Sequence, residues 1–151
     1  MVMRKAKILG IMTELVDKSR LKVRFSEVDS MRIVWHGEYI KYFEDGRESF
    51  GNHYTGIGYL DIYNSGYTAP VVDLHINYKL PLVYGDTAVV ETKYIYSSAA
   101  KIMFEYRIYR ESDGVVVAEG TSIQVFLDGQ GELVLINPPF YLKWQQKWNL
   151  L

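Results

Sequence analysis

Asp29 and His36 stand seven residues apart in a stretch, 25–50, that begins as the end of an alternating segment, passes through an irregular turn and becomes a helix. Such a stretch can bring together a carboxylate, an imidazole and the free N–H groups of a helix start. A carboxylate placed there can take a proton from water or attack a carbonyl itself, and backbone donors can hold the negative charge that develops. On spacing alone, an aspartate beside a serine just before a helix is more commonly an Asx-turn or a cap. An isolated histidine is likewise more often a solvated turn residue than a catalyst. His53 and His75 have no partner at ligand spacing, and without cysteine the three histidines make no zinc pattern, so no metal is expected.

The elements that must hold these groups follow from periodicity. Residues 1–18 show no clean period and read as an N-terminal arm or short strand. Leu21, Val23 and Phe25 alternate with Lys22, Arg24 and Ser26, which predicts a half-buried strand. From about His36, residues Tyr39, Ile40, Phe43, Arg47 and Phe50 share a helical face, while Glu38, Lys41, Asp45 and Glu48 take mostly the other. Lys41 and Asp45 are spaced for an i,i+4 ion pair, worth about 0.2–0.5 kcal/mol. Gly46 costs roughly 1 kcal/mol inside a helix, so another backbone is expected close by, and Gly51, Gly56 and Gly58 are expected to end the helix.

Beyond residue 70 the period becomes two. Val72, Leu74, Ile76 and Tyr78 mark a strand ended by Pro81, and further strands are expected over 87–96, around Ile102–Ile108 and over 115–127. Gly85-Asp86, residues 97–100 and Asp113-Gly114 supply the turns of a meander, and a short strand over 132–136 follows the turn at 128–131. Pro138-Pro139 opens a terminal helix over 138–151, whose Tyr141, Trp144, Trp148 and Leu151 form a stripe suited to covering a sheet face. One long helix among antiparallel strands predicts an α+β domain occupying the whole of 1–151.

Composition narrows the classes of function. With 151 residues, 48% hydrophobic and 23% charged, the chain can bury a core without staples. A formal charge of -1 gives no global pull toward nucleic acid or an anionic membrane. No segment approaches a membrane span, and the run 8–12 is too short for a signal core, so the cytoplasm is the expected location. The absence of cysteine suits a reducing compartment. Thirteen tyrosines bias the chain toward strands and amphipathic surfaces.

The run 23–29 (Val-Arg-Phe-Ser-Glu-Val-Asp), then Ile33-Val34, His36, Tyr39, Phe43-Glu44 and Arg47, resembles the signature of hotdog-fold acyl-CoA thioesterases of the 4-hydroxybenzoyl-CoA thioesterase family. The likeness continues at Tyr78-Lys79-Leu80-Pro81, Tyr84-Gly85-Asp86 and Ala118-Glu119-Gly120, in consistent order over residues 20–140. It implies a hotdog fold, in which a long central helix is wrapped by a curved antiparallel sheet of about five to six strands, with a short C-terminal helix. It also implies a homodimer or homotetramer with active sites between subunits. No cofactor is implied, because CoA or phosphopantetheine arrives as part of the substrate, an acyl-CoA or an acyl carrier protein.

Under that resemblance Asp29 becomes the general base or the nucleophile, and the backbone N–H groups of His36 and Gly37 become the oxyanion site. His36 takes a catalytic or orienting role. Thiolate leaves readily, so no strong general acid is required. Tyr39 and Phe43 read as core that could line an acyl tunnel, Val72 and Asp73 border the pantetheine channel, and Ser98 and Lys101 are placed to meet the CoA nucleotide. Glu44 is better matched to an i,i+3 pair with Arg47 than to catalysis. Arg32 departs from the family, which has glycine three residues after the aspartate. Arginine resists conformations open to glycine, so either the loop is reshaped or Arg32 extends outward, into solvent or toward an anionic substrate group. Two alternatives compete with hydrolysis: a non-catalytic hotdog binder of acyl-pantetheine or lipid chains, and a hotdog dehydratase or hydratase, whose loop pattern is missing here.

Overall fold

The computed structural model describes residues 13–151, so most of the arm expected over 1–18 lies outside the described residues. Alternating side chains build five strands: β1 (Val16–Lys22), β2 (Val71–Tyr78), β3 (Thr87–Ile95), β4 (Lys101–Arg110) and β5 (Val116–Val125). They form one antiparallel sheet in the order β1-β3-β4-β5-β2. Three α-helices accompany it: α1 (Glu38–His53), α2 (Tyr59–Asn64) and α3 (Pro139–Lys147). The expected α+β architecture, a long helix against an antiparallel sheet, is the one observed.

Glycine on each side lets α1 seat against the sheet. A Cβ on Gly46 would lie 2.5 Å from Thr92 Oγ1 and 2.8 Å from Val90 Cγ1, so the helix meets β3 there through side chains rather than backbone. A Cβ on Gly120 of β5 would lie 2.5 Å from the Phe43 ring, which instead stacks on Tyr106 with centroids 4.3 Å apart. The inner face therefore carries Val90, Tyr94, Phe104, Tyr106, Ile108 and Ala118, all buried against Tyr39, Tyr42, Phe43 and Phe50. α3 closes the far end: Trp144 Nε1 donates to the Tyr54 carbonyl at 2.8 Å, and Tyr141 is hydrogen bonded to Tyr94.

Several expectations are corrected. β1 ends at Lys22, the Val23 N–H bond to the Asp86 carbonyl carries its pairing with β3 one residue further, and Phe25 then sits 81% exposed in a 3-10 turn, Phe25–Glu27. The helix starts at Glu38, after His36, and Glu38 is buried rather than outward. Its carboxylate draws Lys41 to 3.4 Å, so the expected Lys41–Asp45 pair does not form. Ile40 faces outward. Gly51 does not end the helix; a Cβ there would lie 3.3 Å from Gly58 Cα, so the glycine admits a chain crossing over α1. α2 follows that crossing and was not expected.

β2 is an edge strand paired to β5 through Leu74↔Ser122, Ile76↔Gly120 and Tyr78↔Ala118, so only β3, β4 and β5 form the meander. Alternation specifies faces, not neighbours, and the link 79–86 is too long for a tight hairpin. Residues 132–136 are not a strand but make one bridge, Leu127↔Leu133. At the C-terminus Leu150, not Leu151, is buried.

Candidate active site

The chain between β1 and α1 is folded by backbone bonds into a tight loop. Val28 bridges Val34, Asp29 N–H donates to the Ile33 carbonyl at 2.9 Å, and Arg32 N–H donates to the Asp29 carbonyl at 3.0 Å. Two clamps hold this loop from outside. Trp35 N–H reaches the Glu27 carbonyl and Val34 N–H the Leu82 carbonyl, both at 2.9 Å, while Ile33 bridges Val83. Leu82 is fully buried, and its N–H donates to the Tyr39 hydroxyl at 3.2 Å.

Asp29 is half-buried in this loop. Its Oδ1 accepts from Met31 N–H at 2.8 Å, the Asx-turn that spacing alone suggests. Its Oδ2 enters no hydrogen bond or ion pair among the described residues, so one carboxylate oxygen orients the group while the other stays open. Arg32 answers the question its presence raised: it takes φ 66°, the left-handed conformation, and the loop keeps the glycine-like path. Its side chain is exposed.

At the helix start, Glu38 N–H donates to the Trp35 carbonyl at 2.9 Å, whereas the N–H groups of His36 and Gly37 meet no protein acceptor among the described residues. The Trp35 ring folds over Gly37, where a side chain would have to displace it. The His36 carbonyl accepts from the Tyr78 hydroxyl at 2.7 Å, which ties the last turn of β2 to this corner. The exposed His36 ring lies 5.1 Å from the Trp35 ring and edge-on to Tyr78 at 6.5 Å. Burial raises the Tyr39 and Tyr78 hydroxyls above the ordinary tyrosine range, and burial followed by the Glu27 carboxylate pushes Tyr42 far above it. These phenols stay protonated near neutrality and so are not bases; Tyr78 donates its proton to the His36 carbonyl.

The structure thus places Asp29, His36 and Gly37 on the one loop that leads into α1, with Tyr39 in the first turn of the helix. Tyr39 is buried and pins the 80–83 segment. Val72 and Asp73 are exposed on β2, at the irregularity between Val71 and Asp73. Ser98 and Lys101 are not brought near Asp29: they lie at the other end of β3, whose nine residues span about 30 Å. Glu44 and Arg47 form the expected ion pair at 3.7 Å. His53, which has no partner at metal-ligand spacing, places its Nδ1 2.9 Å from Asp17 Oδ1.

Two residues of this corner went unread in the sequence. Tyr78 is the last inward residue of β2, and Glu27, buried two positions before Asp29, accepts from Arg24 N–H at 2.8 Å. The run Tyr78-Lys79-Leu80-Pro81 marked the first only as a likeness. Glu27 carried no periodic signal.

Comparison with known proteins agrees with this architecture. The model of the Thioesterase-like superfamily matches residues 23–145. The Bacillus subtilis (strain 168) protein named "Putative acyl-CoA thioesterase YneP" is 37% identical over 113 residues, 75% of this chain and 80% of that one. The chloroplastic acyl-acyl carrier protein thioesterase ATL3 of Arabidopsis thaliana is 31% identical over 110 residues, 73% of this chain but 57% of its own length. Among solved structures, a DHNA-CoA thioesterase from Staphylococcus aureus superposes with a TM-score of 0.78 at 24% identity, covering 87% of this chain and 89% of that one, a likeness of fold. The match over most of the chain, the relative at 37% identity and the shared fold place it plainly: this chain belongs to the thioesterase-like superfamily of hotdog enzymes.

Proposed function

We propose that this protein hydrolyses acyl thioesters, releasing a carboxylic acid from acyl-CoA or from an acyl carrier protein, with the chemistry at the start of α1. The observation that carries this reading is Asp29, one oxygen fixed by Met31 N–H and the other open, in a loop that leads into the unpaired N–H groups of His36 and Gly37. The names of its relatives, acyl-CoA and acyl-acyl carrier protein thioesterases, support the substrate class.

The thioester carbonyl oxygen is held by the His36 and Gly37 N–H groups, where the helix dipole adds positive potential. Asp29 then acts in one of two ways. As a base it takes a proton from water while the water oxygen bonds to the carbonyl carbon; as a nucleophile it forms an anhydride that water opens. In either route the C–S bond breaks, its electron pair leaves on sulfur, and the thiolate takes up the proton that water has lost. His36 borders the site and orients the substrate, while Tyr78 fixes the His36 carbonyl and so the direction of the adjoining N–H groups.

The assembly fits a second copy pairing along β2. β1 carries Lys18, Arg20 and Lys22, cations that guard an edge, whereas β2 has neither lysine nor arginine and is almost wholly exposed. A homodimer made edge to edge through β2 brings Val72 and Asp73 to the interface. Among the described residues no helix is long and apolar enough to cross a membrane, and the lack of cysteine supports a cytoplasmic setting.

A thiol-release assay over short, long and aromatic acyl-CoAs and acyl carrier proteins tests the reading, with Asp29→Asn as control. Turnover by the wild type well above the variant is expected for at least one class. Equal rates across the panel would remove Asp29 from the reaction, and binding without turnover would favour a carrier of acyl groups.

A further inference from the structure

Beyond its second turn α1 borders a cavity of about 680 Å³, within the size range of small-molecule sites. Its apolar wall comes from Phe50, Ile57, Ile62, Ile102, Phe104 and Leu127. The segment that crosses α1 at the Gly51–Gly58 contact supplies Ile57 and Ile62, so the cavity lies where that crossing roofs the sheet. The charged residues lining it are Glu44, Glu48 and Arg47, and Arg47 lies 3.7 Å from Glu44. Among the described residues the one lining cation is thus paired, and the wall is left with an excess acid.

Between this cavity and the proposed reacting corner, α1 and β2 expose apolar side chains. Leu74, Ile76 and Tyr78 pair across the sheet with Ser122, Gly120 and Ala118, so they share the face turned toward α1. Ile40, on the flank of α1 between Gly37 and Arg47, is 39% exposed, and Leu74 is 38% exposed. From Gly37 to Arg47 the helix advances about 15 Å. Three bonds of an extended chain cover ~3.3–3.6 Å, so that distance takes about thirteen bonds of an extended alkyl chain.

We infer that the acyl group is a linear chain of about 10–14 carbons with an apolar end, its first carbons passing Ile40 and Leu74 and its last ones lodged among Phe50, Ile62 and Phe104. This rests on the placement of the thioester at the start of α1. A short acyl group or a single aromatic ring would end before the cavity, and a chain ending in a second carboxylate would meet Glu44 and Glu48 without a free cation in the wall.

Two measurements test it. The first is kcat/KM over straight-chain acyl-CoAs from four to eighteen carbons, with benzoyl-CoA alongside. Each methylene moved from water into an apolar site is worth about fourfold, so dodecanoyl-CoA is expected to exceed hexanoyl-CoA by at least a hundredfold. Ile62→Trp, and Leu127→Trp should the first fail to fold by circular dichroism, is expected to cut that ratio at least tenfold. The second is calorimetric binding of free fatty acids from six to sixteen carbons, tightest near twelve in the wild type and weakened for the longer acids in the tryptophan variants. An optimum at six carbons or fewer, a preference for benzoyl-CoA, or a folded tryptophan variant with an unchanged ratio would overturn the inference while leaving hydrolysis in place. Length-selective fatty-acid binding with no thioester cleaved would uphold the chain length and sink the hydrolase reading instead.

Discussion

The two ends of α1 are built in opposite ways. At its C-terminal end Phe50 is fully buried among rings, with Tyr54 at 4.7 Å, Phe104 at 4.9 Å and Trp144 at 6.3 Å. The indoles there also satisfy carbonyls, Trp144 Nε1 reaching Tyr54 at 2.8 Å and Trp148 Nε1 reaching Thr55 at 3.0 Å. At its N-terminal end the large side chains Met31 and Trp35 are exposed, two N–H groups are unpaired, and the loop keeps its shape through backbone bonds and one Asx-turn. A non-glycine residue in the left-handed region costs stability where it occurs. The aromatic end offsets that cost, so one helix anchors the fold at one terminus and presents its dipole to a ligand at the other.

If the division is real, substitutions at the two ends should separate stability from rate. Trp144→Ala removes a buried indole and leaves the Tyr54 carbonyl unpaired; it should lower unfolding free energy by about 3–5 kcal/mol in urea titration while changing kcat by less than about threefold where the protein is folded. A loss below about 1 kcal/mol would mean that α3 is not the anchor. Tyr78→Phe deletes only the bond to the His36 carbonyl. It is expected to cost about 0.5–1.5 kcal/mol and to slow turnover, which sharpens the comparison by showing that the reacting end depends on single polar contacts. Arg32→Gly should do the reverse of both. Relief of the left-handed arginine, about 1–2 kcal/mol, exceeds the added freedom of the unfolded chain, so a gain of about 0.5 kcal/mol in the same titration is expected. Destabilisation would show that the arginine side chain itself holds the loop.

What the sequence made legible follows the same division. The long helix, the strand faces and the Asp29–His36 stretch could be read because each is a local pattern, and the aromatic stripe of α3 because tryptophans at helical spacing need a surface to cover. Contacts between distant segments could not. Gly51 looked like a helix stop because periodicity does not reveal the chain that crosses it at Gly58. β2 looked like the neighbour of β3 because alternation marks faces, and its placement beside β5 is set by where α1 delivers the chain. Tyr78 lies 42 positions from the carbonyl it bonds. α2, at six residues, is too short to show a period. Arg32 was visible as a departure, yet its φ belongs to the loop closed by Asp29 and Ile33 and not to the residue alone.

The most direct test of the central claim, that chemistry occurs at the N-terminal end of α1 on Asp29, is thiol release by Asp29→Asn measured beside its melting temperature. The amide keeps an oxygen for the Met31 N–H but loses the base and the nucleophile. The account predicts a fall in kcat of about 10²–10⁴ with the melting temperature within about 3 °C of wild type. A variant that melts like the wild type and still turns over at a comparable rate would contradict it.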